Sequence, residues 1–392
     1  MDKGWTTETL LKEDRPKVAL FSTHFGVYSQ TFVYDEVRLH SRYDVEVFAR
    51  DRSNPDTFPF EPVHTVEGKW ATTRYGLTTY NRSYMDRMKQ GQFNLLHAHF
   101  GPGSIYALPY QKATGLPLVV TYHGYDVPLL MTPRRFKPKY WRYWLWSKAM
   151  FKNVNRFLAA SNELHDLLIQ LGAPADRVKV WRLGVSIPEL DGVPKRDGKQ
   201  VIMVGRFTEK KGHVDGLEAF GRVLQQGADA TLHIVGDGEL RPKYDAIIRR
   251  FGMEERVKFH GVLSHPDVLT LMEQMDVLMC PSVIAANGDR ESGILVAKEA
   301  GARYVPVIGT IHGGIPEIID DEKTGFLVPE RDSDTLADRL WKLLESAELR
   351  DKMGHAAREK MVREYDIVQR IDVLEDHYDD VRAFHAAEAR NR

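Results

Sequence analysis

Two glutamates eight positions apart, Glu291 and Glu299, are the residues whose type and spacing most suggest chemistry. The sequence around them predicts a helix that contains Glu299 and begins at or just after Glu291. Eight helical residues span about 12 Å, and both carboxylates can then face roughly the same way. This separation suits one acid at a sugar and the other at a ribose, with a diphosphate between them at the helix N-terminus. Two unrelated acids on a solvated helix face are the alternative.

A second candidate group is the basic turn at residues 204–212, which follows a predicted strand and reads Val-Gly-Arg-Phe-Thr-Glu-Lys-Lys-Gly. Arg206 can hold a phosphate through two parallel hydrogen bonds, and Lys211 adds a compact positive charge. The glycine and lysine order of a P-loop is absent. A solvated surface turn is the other interpretation.

A glycosidase would also use two carboxylates, which flank the scissile bond at about 5–10 Å. A helix holds Glu291 and Glu299 further apart than this, unless their side chains converge. Hydrolysis of a neutral sugar also has no use for a basic phosphate site. The residues therefore favour transfer of a group from a phosphate-containing donor.

Histidines and acidic pairs raise the question of further ligands. His123 ends a predicted strand just before Gly124, a position that favours contact with a ligand over burial in the core. His97 and His99 share a strand face, but no third metal ligand is near them in the sequence. The pair Asp332 and Asp334 precedes a helix-start signature, which predicts capping. We therefore predict neither a metal site nor a cofactor.

The alternation of apolar runs with helical patterns predicts an α/β fold. The runs are continuous rather than alternating, as in parallel strands that are covered on both faces. They fall at 18–22, 45–49, 95–99, 118–122, 157–160, 178–183, 201–204, 232–235, 257–260, 277–280, 305–308 and 326–328. We predict two doubly wound Rossmann-like domains around a cleft, at residues 1–190 and 198–364, and a C-terminal helix at 365–392 that returns to the first domain.

Length and composition agree with an enzyme of two domains. The chain has 392 residues, which is too many for one core, and 43% of them are hydrophobic. No apolar run approaches the roughly 20 residues that cross a bilayer. The first 17 residues lack the apolar core of a signal peptide, and Cys280 is the only cysteine, so we expect a cytoplasmic protein. A near-neutral charge without a recognition motif argues against nucleic acid as a partner.

Taken in order, these segments resemble the retaining GT-B glycosyltransferases of family 4. The resemblance runs from about residue 18 to the final helix. The matching segments are 122–126, Gly205 and Arg206 with Lys211 and Gly212, 236–238, 257–261, Glu291 with Glu299 and Ala300, 313–317, and 324–328. Residues 29–32 and the strand at 97–100 are similar to members that build bacterial exopolysaccharides and capsules.

The resemblance implies a nucleotide sugar that is held mainly by the second domain, with Arg206 and Lys211 at its diphosphate. It implies Glu291 at hydroxyls of the sugar, Glu299 at those of the ribose, and His123 reaching the sugar from the first domain. The other implied contacts are Gly26 beside the donor phosphate, Val262 at the nucleobase, and the backbone of Gly293, Ile294 and Leu295 at sugar and phosphate.

We predict transfer of a hexosyl group with retained configuration to a hydroxyl of a glycan or lipid-linked acceptor, in cell-surface polysaccharide synthesis. The leaving phosphate would take the acceptor's proton as its hydroxyl attacks on the same face. A UDP-sugar is the first predicted donor and a GDP-sugar the second. The alternatives are another GT-B reaction, such as epimerisation or phosphorolysis, and a non-catalytic subunit that binds sugar nucleotides.

Three positions depart from the usual family pattern. Ser292 stands where glycine is common, Lys298 where an apolar residue is usual, and Tyr304 where a turn usually carries glycine. These departures leave the donor sugar open.

One segment is both strongly basic and aromatic. Residues 134–152, from Arg134 to Lys152, hold seven basic residues and no acidic ones. This composition is typical of a helix that lies on an anionic membrane, here the inner face of the cytoplasmic membrane. The alternative is an ordinary helix that packs Trp141, Trp144 and Leu145 on the sheet.

Overall fold

The computed structural model describes residues 15–138, 140–190, 192–194 and 196–390. The two ends of the predicted domain ranges, residues 1–14 and 391–392, therefore lie outside the described residues. So does Lys139 of the basic and aromatic segment.

The first domain is a seven-stranded parallel sheet of order β3-β2-β1-β4-β5-β6-β7. Its strands are β1 (Lys17–Phe25), β2 (Asp44–Arg52), β3 (Val63–Thr65), β4 (Phe93–His99), β5 (Leu118–Tyr122), β6 (Arg156–Ala159) and β7 (Val178–Val180). Its helices are α1 (Thr31–Leu39), α2 (Lys69–Thr78), α3 (Arg82–Gln90), α4 (Gly101–Thr114), α5 (Asp126–Met131), α6 (Trp141–Asn153) and α7 (Asn162–Gln170).

The second domain is a six-stranded parallel sheet of order β10-β9-β8-β11-β12-β13. Its strands are β8 (Gln200–Val204), β9 (Thr231–Val235), β10 (Val257–Gly261), β11 (Val277–Cys280), β12 (Val307–Thr310) and β13 (Gly325–Val328). The helices that follow are α8 (His213–Gln225), α9 (Arg241–Phe251), α10 (His265–Met272), α11 (Leu295–Gly301), α12 (Ile315–Ile318), α13 (Ser333–Glu345), α14 (Ala347–Glu364) and α15 (Ile367–Arg390).

The prediction of two doubly wound Rossmann-like domains is confirmed. Every predicted apolar run overlaps a strand, because buried parallel strands need apolar side chains on both faces. The additional strand, β3, is short and only partly buried, so it lacks the apolar run from which a strand can be predicted. The run at 178–183 ends early as a strand, because Val185 instead pairs with Asp366 beside the final helix.

The final helix α15 packs against the first domain. Glu375 is fully buried and accepts hydrogen bonds from the backbone N–H groups of Ser41 and Arg42 at 3.0 and 2.9 Å. The indole N–H of Trp181 donates to the carbonyl of Arg370 at 2.9 Å. These contacts tie the end of the chain to the strand layer of the first domain, although α14 belongs to the second.

Side-chain caps begin several helices near the carboxyl ends of strands. Ser161 caps α7, Ser264 caps α10, and Asp332 accepts the N–H of Thr335 at 3.0 Å to cap α13. The predicted capping role of Asp332 is therefore confirmed. In the described part of the chain, no helix is both long and apolar enough to cross a bilayer.

Candidate active site

The carboxylate of Glu291 lies between two ammonium groups. Lys210 Nζ is 3.1 Å from its Oε1, and Lys211 Nζ is 3.2 Å from its Oε2. Burial opposes ionisation of this carboxyl, but Lys211 and Lys210 outweigh burial and lower the pKa of Glu291 to about 2. Glu291 is therefore an anion across the physiological pH range. Lys210 also approaches Asp289 at 3.5 Å.

A buried histidine fixes the backbone at Glu291. The N–H of Glu291 donates to Nε2 of His312 at 3.0 Å, and Nδ1 of His312 lies 2.7 Å from a carboxylate oxygen of Glu330. Because Nε2 of His312 accepts this N–H, the hydrogen of the ring is on Nδ1, which faces Glu330. His312 and Glu330 are thus positioning residues that the sequence analysis missed.

The predicted helix between the two glutamates is shorter than expected. Helix α11 begins at Leu295, so Glu291 lies four residues before it rather than at its first turn. Ile294 has a non-helical backbone, with φ −15° and ψ 83°. The estimate of two helical turns between Glu291 and Glu299 was therefore wrong.

The irregular segment leaves backbone donors available. In the described part of the chain, the N–H groups of Gly293, Ile294 and Leu295 donate no hydrogen bond. They lie directly after the carboxylate of Glu291. Their use by sugar and phosphate stays a prediction.

Arg206 lies at the carboxyl end of β8, beside the two lysines in sequence. Its side chain is exposed, and among the described residues it has no ion-pair or hydrogen-bond partner. The turn that follows is fixed by Gly212, which has φ +62° and lies so close to the carbonyl of Pro281 that a Cβ would overlap it. The turn places Lys210 and Lys211 together at Glu291, while Arg206 stays free for an anion.

His123 lies on the opposite wall, at the end of β5. Its Nε2 is 3.0 Å from Nδ1 of His99, and its ring packs against those of Phe32 and Phe100 with both centroids at 4.6 Å. Asp126 holds the loop: its carboxylate accepts the N–H of Gly124 at 3.1 Å, as well as one from the start of α4. Asp126 is the first residue of α5.

His97 and His99 have a third potential ligand in space, although none is near them in the sequence. Glu36 on α1 brings a carboxylate oxygen to 3.3 Å from Nδ1 of His97 and 3.1 Å from Nε2 of His99. All of these ligand atoms lie within 4.8 Å of one another in a fully buried group. The residues come from separate parts of the chain, so their spacing gave no signal.

Glu299 lies on α11 and meets a histidine. Nε2 of His265 is 2.7 Å from its carboxylate, and this hydrogen bond raises the pKa of His265. A cavity of about 220 Å³ opens beside them between the two domains, with Phe32 and Arg38 on its first-domain side. Glu299 thus lines this cavity beside a histidine that the sequence analysis did not name, and its contact with a ribose stays a prediction.

Gly26 and Val262 lie on loops at the carboxyl ends of strands. Gly26 has φ +78°, and a Cβ there would overlap the carbonyl of Ser53, so only glycine suits this turn. Val262 follows β10 and is 75% exposed. Val262 is open to a ligand, whereas Gly26 is buried. Their predicted contacts with nucleobase and phosphate stay predictions.

The loop that carries Glu291 is fastened to the first domain. The hydroxyls of Ser292 and Ser161 are 3.0 Å apart, and Arg290 donates to Glu163 at 2.6 Å. Ser292 is buried, which explains why this position carries a hydroxyl instead of the usual glycine. The domains therefore meet beside the candidate site.

Lys298 also links the domains. Its ammonium is buried, donates to the carbonyl of Leu183 at 2.8 Å, and lies 4.7 Å from the ring centre of Tyr365. The departure from an apolar residue thus gives α11 a hydrogen bond to the end of the first sheet. Burial, with the charge of Arg182, lowers the pKa of Lys298 from 10.5 to about 7.

Replacing Lys298 with methionine should change how stability depends on pH. Between pH 7 and 10.5, the unfolded chain binds a proton that the folded protein releases, so this lysine makes wild-type stability rise with pH. The slope is at most about 1.4 kcal/mol per pH unit. We expect the unfolding temperature of wild type to rise relative to that of Lys298→Met between pH 7 and 9. Parallel pH profiles for the two proteins would contradict the assignment.

Comparison with known proteins identifies the family. The profile of the glycosyl transferases group 1 matches residues 191–360, and that of glycosyltransferase family 4 matches residues 30–188. The putative colanic acid biosynthesis glycosyltransferase WcaL of Escherichia coli (strain K12) is 30% identical over 281 residues, which are 70% of this chain and 67% of that protein. The chain belongs to the family 4 glycosyltransferases.

Other relatives of this glycosyltransferase agree. The amylovoran biosynthesis glycosyltransferase AmsK of Erwinia amylovora is 30% identical over 63% of this chain and 60% of its own length. This glycosyltransferase therefore matches only about three fifths to two thirds of the length of these two relatives. Among solved structures, Anabaena Alr3699/HepE in complex with UDP superposes with a TM-score of 0.73 and 18% identity over 93% of this chain and all of that one. That likeness confirms the GT-B fold.

Proposed function

We propose that this glycosyltransferase moves a hexosyl group from a nucleotide sugar to an acceptor hydroxyl, with retention of the anomeric configuration. The observation that carries this proposal is the grouping of Glu291 with Lys210 and Lys211, on the same basic turn as Arg206, whose side chain has no partner in the described part of the chain. A carboxylate for sugar hydroxyls and cations for a diphosphate then lie side by side.

The positive charges of Arg206, Lys210 and Lys211 would stabilise the negative charge that develops on the diphosphate during transfer. Breaking the bond between sugar and phosphate builds negative charge on the diphosphate and positive charge at the sugar carbon. A cation 4 Å from the leaving group is worth about 4 kcal/mol at an effective dielectric of 20. Arg206, Lys210 and Lys211 supply such cations in fixed places, so we propose that no metal is needed for departure.

The pairing of Glu291 favours displacement on one face of the sugar. Each of its oxygens faces an ammonium group, which makes the carboxylate a poor nucleophile but a stable anion. We propose that it orients the ring through its hydroxyls and moderates the positive charge. The leaving phosphate then takes the proton of the acceptor hydroxyl as that hydroxyl attacks.

The proposed donor is a UDP-sugar, with a GDP-sugar second. Support comes from the presence of UDP in the HepE structure, which shares this fold. The backbone around Val262 would meet the base, and Glu299 the ribose. Glu299 contacts His265 beside the cavity, and Val262 is exposed three positions before that histidine.

A panel of UDP-, GDP-, ADP- and dTDP-sugars tests the proposed function. We expect one base to support release of free nucleotide diphosphate, slow with water and faster with an acceptor, and a product of the donor's own anomeric configuration by NMR. Inverted product would refute retention. Tight nucleotide binding without consumption across donors and acceptors would favour a non-catalytic subunit.

We propose a glycan or lipid-linked acceptor in the synthesis of a cell-surface polysaccharide. Support comes from the colanic acid and amylovoran relatives, whose names place them in such syntheses. A lipid-linked acceptor would require the cleft to open beside a membrane. The surface next to the cleft has the composition for that role.

Trp141, Trp144 and Leu145 do not pack on the sheet, as the alternative interpretation of this segment required, because all of them are exposed on α6. Leu145 is 52% exposed, and the buried side of α6 is instead formed by Tyr143, Met150 and Phe151. The helix therefore turns its tryptophans outward.

Helix α2 lies beside α6, since Arg142 of α6 donates to the carbonyl of Gly76 on α2. We define the aromatic surface as Phe136, Trp141, Trp144, Leu145 and Trp146. Basic residues surround it, and we propose that it lies on an anionic bilayer.

The aromatic surface adjoins the candidate active site. Arg134, just before it, is 3.4 Å from Asp289, which in turn lies 3.5 Å from Lys210. A bilayer that touches this surface would therefore present a lipid-linked acceptor close to the basic turn. This continuity supports the proposed acceptor.

Vesicle flotation tests the membrane proposal. We expect wild type to float with phosphatidylglycerol vesicles at low salt and less at high salt, because the attraction is partly electrostatic. Replacing Trp144 and Leu145 with serine should abolish flotation, and Lys148→Glu should weaken binding by roughly fivefold per charge removed. Phe384→Ser, at an exposed apolar residue of α15, is the matched control and should float normally. Absence of wild-type flotation at low salt would contradict the proposal.

A further inference from the structure

A chain of hydrogen bonds leads from α1 to the cleft side of the first domain. The carboxylate of Glu36 is 3.1 Å from Nε2 of His99, and Nδ1 of His99 is 3.0 Å from Nε2 of His123. The rings of His99 and His123 stack with centroids 5.2 Å apart. Glu36 and His99 are buried, so only His123 is in a position to meet a ligand.

Glu36 sets the direction of the hydrogen bonds that link it to His99 and His123. Burial opposes ionisation of Glu36, but His99 and His97 outweigh burial and hold its pKa well below the ordinary value. An ionised carboxylate only accepts hydrogen bonds, so Nε2 of His99 carries a hydrogen. A neutral imidazole carries a single hydrogen, so Nδ1 of the neutral His99 ring is a lone pair. It accepts the hydrogen on Nε2 of His123.

The far nitrogen of His123 is therefore an acceptor. Burial, with the nearby His99, lowers the pKa of His123 well below its ordinary value, so the ring is neutral. With its hydrogen on Nε2, Nδ1 keeps a lone pair. This nitrogen is buried and has no hydrogen-bond partner among the described residues. Buried polar atoms are nearly always paired, so the missing partner points to a bound hydroxyl.

We propose that Glu36 and His99 are positioning residues that fix the tautomer of His123, so that its Nδ1 accepts a hydrogen bond from a hydroxyl of the donor sugar. The inference rests on the proposed function for the identity of that hydroxyl. The tautomer itself does not depend on any substrate.

The same residues resemble a metal site, but their other contacts favour hydrogen bonding. Both ring nitrogens of His97 are engaged, Nδ1 by the hydroxyl of Tyr378 at 2.6 Å and Nε2 by that of Thr121 at 2.7 Å. Burial raises the pKa of Tyr378 well above its ordinary value, so this hydroxyl keeps its hydrogen. A metal would have to displace these hydrogen bonds.

NMR of the full chain with ¹⁵N-labelled histidine tests the tautomer without any donor. At about pH 8, where a free imidazole is neutral, we expect His123 to be protonated at Nε2 and unprotonated at Nδ1. Glu36→Gln offers an amide N–H to His99, so the single tautomer of His123 should be lost. Asp35→Asn, next to Glu36 on α1, is the matched control and should leave the His123 signals unchanged. A His123 tautomer that is the same in Glu36→Gln, or stoichiometric zinc that this variant loses, would overturn the proposal.

A double-mutant cycle separates positioning from a structural role. Glu36→Gln and His123→Ala should each lower kcat by about tenfold, the loss expected for one hydrogen bond. Because Glu36 acts through His123, the double variant should be no slower than the slower single variant. Additive losses, with unfolding temperatures equal to that of wild type, would overturn the proposal. If no donor is turned over at all, the proposed function fails while the NMR result still decides the tautomer.

Discussion

Glu291→Gln should lower kcat by about 10²- to 10³-fold while the protein stays folded. The substitution keeps the size of the side chain but removes the charge that would orient the sugar and moderate its positive charge in the transition state. Lys211 then loses its carboxylate partner, while Lys210 keeps Asp289 at 3.5 Å. Measurement of kcat and KM with the preferred donor checks this result, and the loss should fall mainly on kcat.

Asp289→Asn is the matched control for Glu291→Gln. Asp289 also approaches Lys210, at 3.5 Å, but it faces Arg134 rather than both lysines. We expect this variant to keep most of its activity. Equal losses in the two variants would show that the charge balance of Lys210 matters rather than the position of the Glu291 carboxylate. A Glu291→Gln protein that merely unfolds would support a structural role for this residue.

Acid should not switch off the enzyme through Glu291. Its pKa of about 2 lies below the ordinary value of 4.5, so its ion pairs persist as pH falls and are lost only as pH approaches 2. An acidic limb of the rate profile near pH 5 would therefore report another group. This follows from the lysines, which hold the carboxylate in its charged form.

Arg206→Ala should lower kcat/KM by about 10²-fold. Among the described residues this guanidinium has no partner to release, so its full strength is available to a diphosphate, whereas the lysines must first leave Glu291. Arg206→Lys should recover only part of the loss, because an ammonium cannot grip a phosphate through two parallel hydrogen bonds. Kinetics with the preferred donor, together with calorimetric binding of the nucleotide diphosphate, measures both effects.

Arg249→Ala is the matched control for Arg206→Ala, since Arg249 is an exposed arginine in the last turn of α9. It should bind the nucleotide as wild type does. Unchanged kinetics in Arg206→Ala would remove this residue from the proposed diphosphate site.

The sheets could be predicted because their signal is local. A buried parallel strand needs a continuous apolar run, and each run in this chain is followed by a helical pattern. The basic turn at Arg206 and Lys211 could be predicted for the same reason, as it follows β8 directly. Strand β3 could not be predicted from the sequence, because Val63–Thr65 is short and half-buried.

The missed site residues depend on contacts between distant segments. His312 meets Glu291 across 21 positions, and Glu36 meets His99 across 63. No spacing rule relates such residues, because the sheet order alone brings them together. Lys210 was missed for a different reason. A tight turn at Glu209–Lys211 brings the neighbouring side chains of Lys210 and Lys211 to the same carboxylate, whereas the sequence analysis assigned only Lys211 to the site.

The start of α11 was misplaced because tertiary contacts override local preference. Glu291 is fixed by His312, and Ser292 is held by Ser161, so the chain between them and Leu295 stays irregular. The residues that follow are good helix formers, which extended the predicted helix backwards.

The loop that bears Glu291 has a consequence for the catalytic cycle. The loop is hydrogen-bonded to the first domain through Ser292 and Arg290. Any motion that separates the two domains must break these hydrogen bonds. In the proposed function, opening of the two domains would therefore be coupled to the position of the Glu291 carboxylate, and motions of this kind limit the rate of many enzymes.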